Sequence, residues 1–273
     1  MAGSRRPYVL EEMTVNEIRQ ALRKNRTILL PMGCIEQHGY HLPVNTDVLT
    51  AQYVAAQAAK LAKCFVAPAI NYTFSGGELS GTVNVSTQVV GLYVRDVCRS
   101  FANQGFKRIV LVLGHGGSEN LRDIQESLKM FLRLEKAYNG LQIQVAGLWN
   151  LSPTWTMSLQ QHNYHADIIE TSMILFLRPE LVRRPYVLDK PAVHRQLIAD
   201  PDNYQKVKGD AKAKGLLDGV YNVPHISQRA DVKVGVMGNP RGASAEAGRK
   251  VLHEAVDNLV KLLKSGRYFC SLE

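Results

Sequence analysis

Short apolar runs alternate along this chain with longer stretches whose apolar residues recur every three or four positions. The runs TILLPMG (27–33), CFVAPAI (64–70), KRIVLVLG (107–114) and LQIQVAGLW (141–149) are nearly continuous in apolar residues. Such runs predict strands buried on both faces. The longer stretches predict helices. In TVNEIRQALRKN (14–25), Thr14 and Glu17 form a capping box and Ile18 and Leu22 share a face. An Ala-rich helix is expected over 48–63, one over 87–105 that stops at Gly105, and a long amphipathic one from Ser118. Two more are expected over HADIIETSMILFL (165–177) and over 244–264. Strands that alternate with helices argue for a three-layer α/β/α sandwich with a mostly parallel central sheet. The stretch 183–240 breaks the rhythm. It is polar, carries Pro185, Pro191, Pro201, Pro224 and Pro240, and reads as a long irregular excursion from a single domain over 1–273. Part of DNYQKVKGDAKAKGLLDGV (202–220) can form a helix, and the excursion suits a lid or a subunit contact.

Composition narrows the class. With 273 residues and 45% apolar content, the chain buries a full core without staples. The 33 basic and 24 acidic residues leave a formal charge of +9. That charge admits a non-catalytic basic binding protein, or an anionic substrate drawn to a basic pocket. Yet the basic residues are scattered, with no aromatic-and-basic platform or zinc-finger spacing, so no nucleic-acid partner is expected. The four cysteines show no CxxC spacing, which points to a reducing, cytoplasmic location. The first residues hold no apolar signal segment and no run reaches about 18 apolar residues, so no membrane partner is expected.

The polar residues that change the picture follow the strands, where α/β sheets place their sites. PMGCIEQHGYHLPVNTD (31–47) carries Glu36 and His38 two apart, on the same side if the chain is extended there, and Asp47 at the start of the next helix. His115 sits among glycines after the third strand, in LGHGGSEN. His165 and Glu170 open a late helix in NYHADIIETS, about 500° apart around it. Two His, two Glu and one Asp suit a divalent metal, Zn²⁺ or Mn²⁺. Two such ions about 3.5–4 Å apart can share one water and ionise it at neutral pH. The bland alternatives stand beside this. Each His can be a hydrogen-bonded structural residue, Glu36 can cap a turn, Asp47 can be a helix N-cap, and Gly-His-Gly can be a tight turn. His41 suits loop support better than ligation. Trp149, Trp155 and Tyr164 suit an aromatic lid or plain packing, and Cys34 lacks a partner pattern for a nucleophile.

Four blocks, PMGCIEQHGYHLPVNTD, LGHGGSEN, HADIIETS and GVMGNPRGASAEAG, resemble the signature blocks of the creatininase (creatinine amidohydrolase) family, in order, over residues 31–248. The resemblance implies a layered α/β/α fold, a binuclear Zn²⁺ or Mn²⁺ site and a homohexamer. It implies Glu36 and His115 on one ion, His38 and Glu170 on the other, Asp47 between them, and His165 in proton transfer. The implied activity is hydrolysis of a small carbonyl compound, most simply a cyclic or linear amide, by hydroxide attack at the carbonyl. Departures bear on the substrate. Gly117 stands where creatinine hydrolases carry an acid, and Leu79 where a His is common, while Glu78, Gly81 and Thr82 are kept. Glu78, Trp155 and Tyr164 are the expected substrate contacts. The alternative within the family is a hydrolase that opens a cyclic polyol ketone, an inosose, at a carbon–carbon bond.

Overall fold

The computed structural model describes residues 8–208 and 223–265. In chain order its elements are β1 (Tyr8–Val9), α1 (Val15–Leu22), β2 (Thr27–Met32), α2 (Thr46–Ala62), β3 (Phe65–Val66), α3 (Thr87–Asn103), β4 (Arg108–Leu113) and α4 (Ser118–Leu134). There follow β5 (Gln142–Gly147), α5 (Leu148–Leu151), α6 (Pro153–Gln160), α7 (Ile168–Leu177), α8 (Pro191–Ala199), β6 (Gln205–Lys208), β7 (His225–Gln228) and α9 (Ala245–Lys264). Strands β1 to β5 form one sheet in the order β1-β3-β2-β4-β5, every pair parallel.

The alternation of side chains along β2 and β4 builds the three layers. Leu29, Val110 and Val112 face α2, α7 and α9 in one apolar cluster. Ile28, Leu30, Met32, Ile109, Leu111 and Leu113 face α1, α3 and α4 in another. Both faces are covered, so neither strand has a polar side, as parallel sheets require. β2 also runs through Pro31, a residue with no N–H to donate to the ladder. In a parallel ladder a residue's N–H and C=O point to the same neighbour, and the Pro31 carbonyl accepts from Ile70 N–H at 3.0 Å. The missing N–H therefore falls on the side where β3 has already ended at Val66, so no ladder bond is lost there.

Local signals hold where predicted. Thr14 and Glu17 make a reciprocal capping box on α1. The chain turns out of α3 through Gly105 at φ 103°. Two expectations need correcting. α7 starts at Ile168, not at His165, because the Asp167 carboxylate captures the N–H groups of Ile169 and Glu170 as the N-cap. His165 instead pairs in extended fashion with Met237, through Met237 N–H to His165 O at 2.8 Å and His165 N–H to Met237 O at 3.2 Å. The excursion is also more regular than its composition suggests. It contains α8, and β6 pairs antiparallel with β7, which takes up the backbone groups of 205–208 that a helix there would have used. The rest of that expected helix, 209–222, lies outside the described residues. No described helix is long and apolar enough to cross a membrane.

Candidate metal centre

β2 lies between β3 and β4, and the chain leaves it first to one side and then to the other. The crevice beyond the carboxyl ends of β2 and β4 is thus a switch point of the sheet. Each strand is followed by a glycine, and both glycines meet the first turn of α2. A Cβ on Gly33 would lie 2.6 Å from Val48 N, and one on Gly114 would lie 2.0 Å from Asp47 O. Only side-chain-free residues let α2 start this close to the sheet, and the close start carries Asp47 into the crevice.

Beyond Gly33 the chain stays extended but pairs only sporadically. Val83 N–H donates to Ile35 O, Glu36 N–H to Val44 O, and Gln37 N–H to Thr82 Oγ1. Glu36 and His38 therefore turn to the same side, as their spacing predicts. Glu170 comes from the first turn of α7, and its Oε2 accepts from Ala166 N–H. His115 follows Gly114, and a Cβ on Gly117 would lie 2.4 Å from its Nε2. The ring lies over that bare backbone and turns Nδ1 toward the crevice.

Five of the sequence-predicted side chains converge. His115 Nδ1 lies 3.0 Å from Glu36 Oε2 and 3.4 Å from Asp47 Oδ2. His38 Nε2 lies 3.2 Å from Asp47 Oδ1 and 3.7 Å from Glu170 Oε2. Asp47 thus belongs to both groups, one with Glu36 and His115 and one with His38 and Glu170. His165 stands beside these groups, its Nε2 3.9 Å from Glu36 Oε1 and its ring 4.4 Å from that of His38.

The donor atoms fit a divalent cation. Glu36 Oε2, His38 Nε2 and Asp47 Oδ2 are buried and have no hydrogen-bond partner, although other polar atoms stand close by. They converge without lining up as donor and acceptor. His38 Nδ1–H donates to Glu36 O at 3.0 Å, which leaves the neutral ring's lone pair on Nε2, facing two carboxylates. Three carboxylates buried together need compensating positive charge. In the protein alone the imidazoles supply it. Burial opposes protonation of His38, but the Asp47 and Glu170 carboxylates override it and hold its pKa well above the usual value. Burial likewise opposes protonation of His115, and Cys34, Glu36 and Asp47 push it up. In turn, against the effect of burial, His38 and His115 hold Asp47 below the ordinary carboxylate range, and His165 and His115 hold Glu36 below it. A metal ion would do the same work with one charge centre.

Above the cluster opens a cavity of about 380 Å³. Its floor carries Glu36, Asp47, His115, His165 and Glu170, and its walls carry Trp149, Trp155, Tyr164, Tyr204 and Glu119. Among the described residues that line this cavity, none is Lys or Arg. Trp155 and Tyr164, the expected substrate contacts, both line this cavity. Glu78 does not line this cavity: it is exposed, and its carboxylate accepts from Gln228 N–H on β7. His41 is fully buried outside the cluster, with Nε2 3.0 Å from Thr171 Oγ1, and burial pulls its pKa down to about 4. Sequence reading missed Tyr204 and Gln37. Gln37 Nε2 donates to Tyr204 OH at 3.3 Å, and Gln37 O accepts from His165 Nε2–H at 2.8 Å. Gln37 sits between two candidate ligands and was open to notice. Tyr204 lies in the excursion, and no local pattern marks it.

Comparison with known proteins points to one family and one fold. The family model described as Creatininase: Creatinine amidohydrolase matches residues 11–263. The chain is 31% identical over 182 residues to a creatinine amidohydrolase of Pseudomonas putida, covering 60% of this chain and 69% of that one. It is 28% identical over 267 residues to a mycofactocin precursor peptide peptidase of Mycobacterium ulcerans, covering 94% and 92%. A solved structure of a manganese creatininase superposes with a TM-score of 0.73 at 23% identity, covering 95% of this chain and 98% of that one.

Proposed function

The chain belongs to the creatininase family and is a metal-dependent hydrolase, and from that premise we propose that it cleaves a small amide over a pair of divalent ions. The observation that carries this reading is the pair of donor groups sharing Asp47 at the floor of an aromatic-walled cavity. In it, Glu36, His115 and Asp47 would hold one ion, and His38, Glu170 and Asp47 would hold the other. Zinc and manganese both suit this mixed oxygen and nitrogen set. Ions so held ionise water near neutral pH and polarise a carbonyl oxygen.

The protein's own groups supply the rest. Gln37 O anchors His165 through Nε2–H, which leaves Nδ1 as the basic nitrogen of the neutral ring. His165 lines the cavity and passes a proton to the departing nitrogen, because an amide nitrogen leaves poorly unless protonated. Water oxygen bonds to the carbonyl carbon, the carbon–nitrogen bond breaks, and the amine departs with that proton. Trp149, Trp155, Tyr164 and Tyr204 exclude water and hold a flat or ring-shaped substrate. Tyr204 supports the reading of the excursion over 183–240 as a wall of one hydrolase unit.

The buried free thiols Cys34, Cys64 and Cys98 support a reducing, cytoplasmic setting. Leu92, Met130 and Leu134, exposed together on α3 and α4, support a contact between copies in a homo-oligomer, of which a hexamer is the proposed size.

The test is metal analysis of chelator-free protein, followed by assay against a panel of cyclic amides, linear amides, short peptides and an inosose. About two ions per chain and turnover of an amide, lost in His165→Ala, are expected. A folded protein with no bound ion under metal-replete conditions overturns the reading. Turnover of the inosose alone overturns the amide and favours carbon–carbon cleavage.

A further inference from the structure

We propose that Cys34 is a sulfur ligand of the ion held by Glu36, Asp47 and His115, and that it biases this half of the centre toward zinc over manganese. The inference rests on the metal reading above and adds a donor to it. Cys34 and Glu36 are two residues apart in extended chain, so their side chains turn the same way. The Cys34 sulfur and the nearest ligand atoms of Glu36, Asp47 and His115 all lie within 4.8 Å of one another. Two of those residues carry buried oxygens with no hydrogen-bond partner, Glu36 Oε2 and Asp47 Oδ2, and the residues are only 9% and 2% exposed.

The other cysteines show that this placement is particular. Cys64 and Cys98 are packed in the two large apolar clusters, whereas Cys34 belongs to neither. Its sulfur has polar company instead, Thr73 Oγ1 at 3.0 Å and Phe74 O at 3.7 Å. Thr73 has one hydroxyl proton and donates it to Gly33 O at 3.0 Å. The thiol is therefore the donor to Thr73, and the sulfur also stands within hydrogen-bonding reach of the His115 ring. A nucleophilic role is excluded by access, since Cys34 is fully buried and does not line the cavity. One sulfur, one imidazole nitrogen and two carboxylate oxygens make a four-donor set suited to Zn²⁺. Manganese prefers oxygen and nitrogen, so the sulfur discriminates against it. On coordination one metal–sulfur bond forms, the thiol proton leaves to solvent, and no group changes oxidation state. Gly117 adds no side chain to compete for the same position.

The test uses Co²⁺ as a spectroscopic stand-in on the full chain. The wild-type protein loaded with cobalt is expected to show a near-ultraviolet sulfur-to-cobalt charge-transfer band. Cys34→Ser should lose that band while still binding cobalt, and Cys270→Ser should keep it. In Zn²⁺/Mn²⁺ competition, Cys34→Ser should lower the preference for zinc by about 10- to 100-fold. Full cobalt loading of the wild type without the band overturns the sulfur ligand and leaves the hydrolase reading standing. A band that survives in folded Cys34→Ser overturns it as well. Absence of any cobalt binding is a separate result, and it removes the metal reading itself. The wild-type spectrum with the Cys270→Ser control decides the question even if Cys34→Ser does not fold.

Discussion

Gly114→Ala is expected to disable the centre without touching any of its polar side chains. Gly114 directly follows β4, its N–H donates to Met32 O at 2.9 Å, and its backbone is not in the left-handed region. Alanine therefore meets no conformational penalty there, and the whole effect is steric. The new Cβ would lie 2.0 Å from Asp47 O and 2.7 Å from Asp47 C, where ordinary contact begins at 3.4 Å. The two backbones must part by about 1.4 Å, the difference between those values. β4 is locked in register with β2 up to the pair Met32 and Leu113, so the first turn of α2 gives way. Asp47 moves with it, while Glu36, His115, His38 and Glu170 hang from other segments. Metal sites tolerate about 0.2 Å in their bond lengths. A misplacement of about 1 Å costs on the order of 100-fold in rate. The overpacking itself costs about 1–3 kcal/mol. For a chain of this size that lowers Tm by roughly 2–4 °C per kcal/mol. Melting curves with and without chelator, ion content and turnover should show all three losses together. Gly140→Ala is the control, since a Cβ there meets nothing within 4 Å. Wild-type ion content and turnover in Gly114→Ala would refute the idea that this glycine sets the position of Asp47.

Gly117→Ala should act on His115 alone, because its Cβ would lie 2.4 Å from His115 Nε2; ion affinity should fall about 10-fold or more by titration with little change in the melting of the stripped protein. Removing the ions should make stability depend on pH in a defined sense. In the stripped protein the raised pKa values of His38 and His115 stabilise the fold fully below about pH 6.5, and that contribution disappears as pH rises through the raised values. The Tm gap between loaded and stripped protein should therefore widen from pH 6 to pH 9, and a constant gap would contradict it. Asp189→Ala should cost about 2–4 kcal/mol by urea unfolding. The Asp189 carboxylate accepts the N–H groups of Lys233, Val234 and Gly235 at 2.7, 3.0 and 2.7 Å, and Asp189→Asn, which keeps an acceptor, should lose less.

Part of this protein is legible in short windows of sequence because the physics there is local. The Thr14 and Glu17 capping box closes within one turn, and the apolar alternation of β2 and β4 states which side chains face which layer. Glu36 and His38 share a side because an extended chain has a period of two. The resemblance of four blocks identified the family before any coordinate did. The start of α7 was misplaced because two windows compete there: the helical pattern favours His165 onward, and the Asp167 cap wins.

The sequence by itself determined the residue types, the strand-then-polar order and the layered sandwich, all of which follow from patterns a few residues long. Only the tertiary structure decided that Asp47 belongs to two donor groups at once, that Tyr204 reaches the cavity from the excursion, and that Cys34 stands beside Asp47 and His115 rather than in an apolar cluster. Those contacts join segments from distant parts of the chain. They depend on how closely α2 can approach two strand ends, a distance that two glycines permit and that no local pattern records.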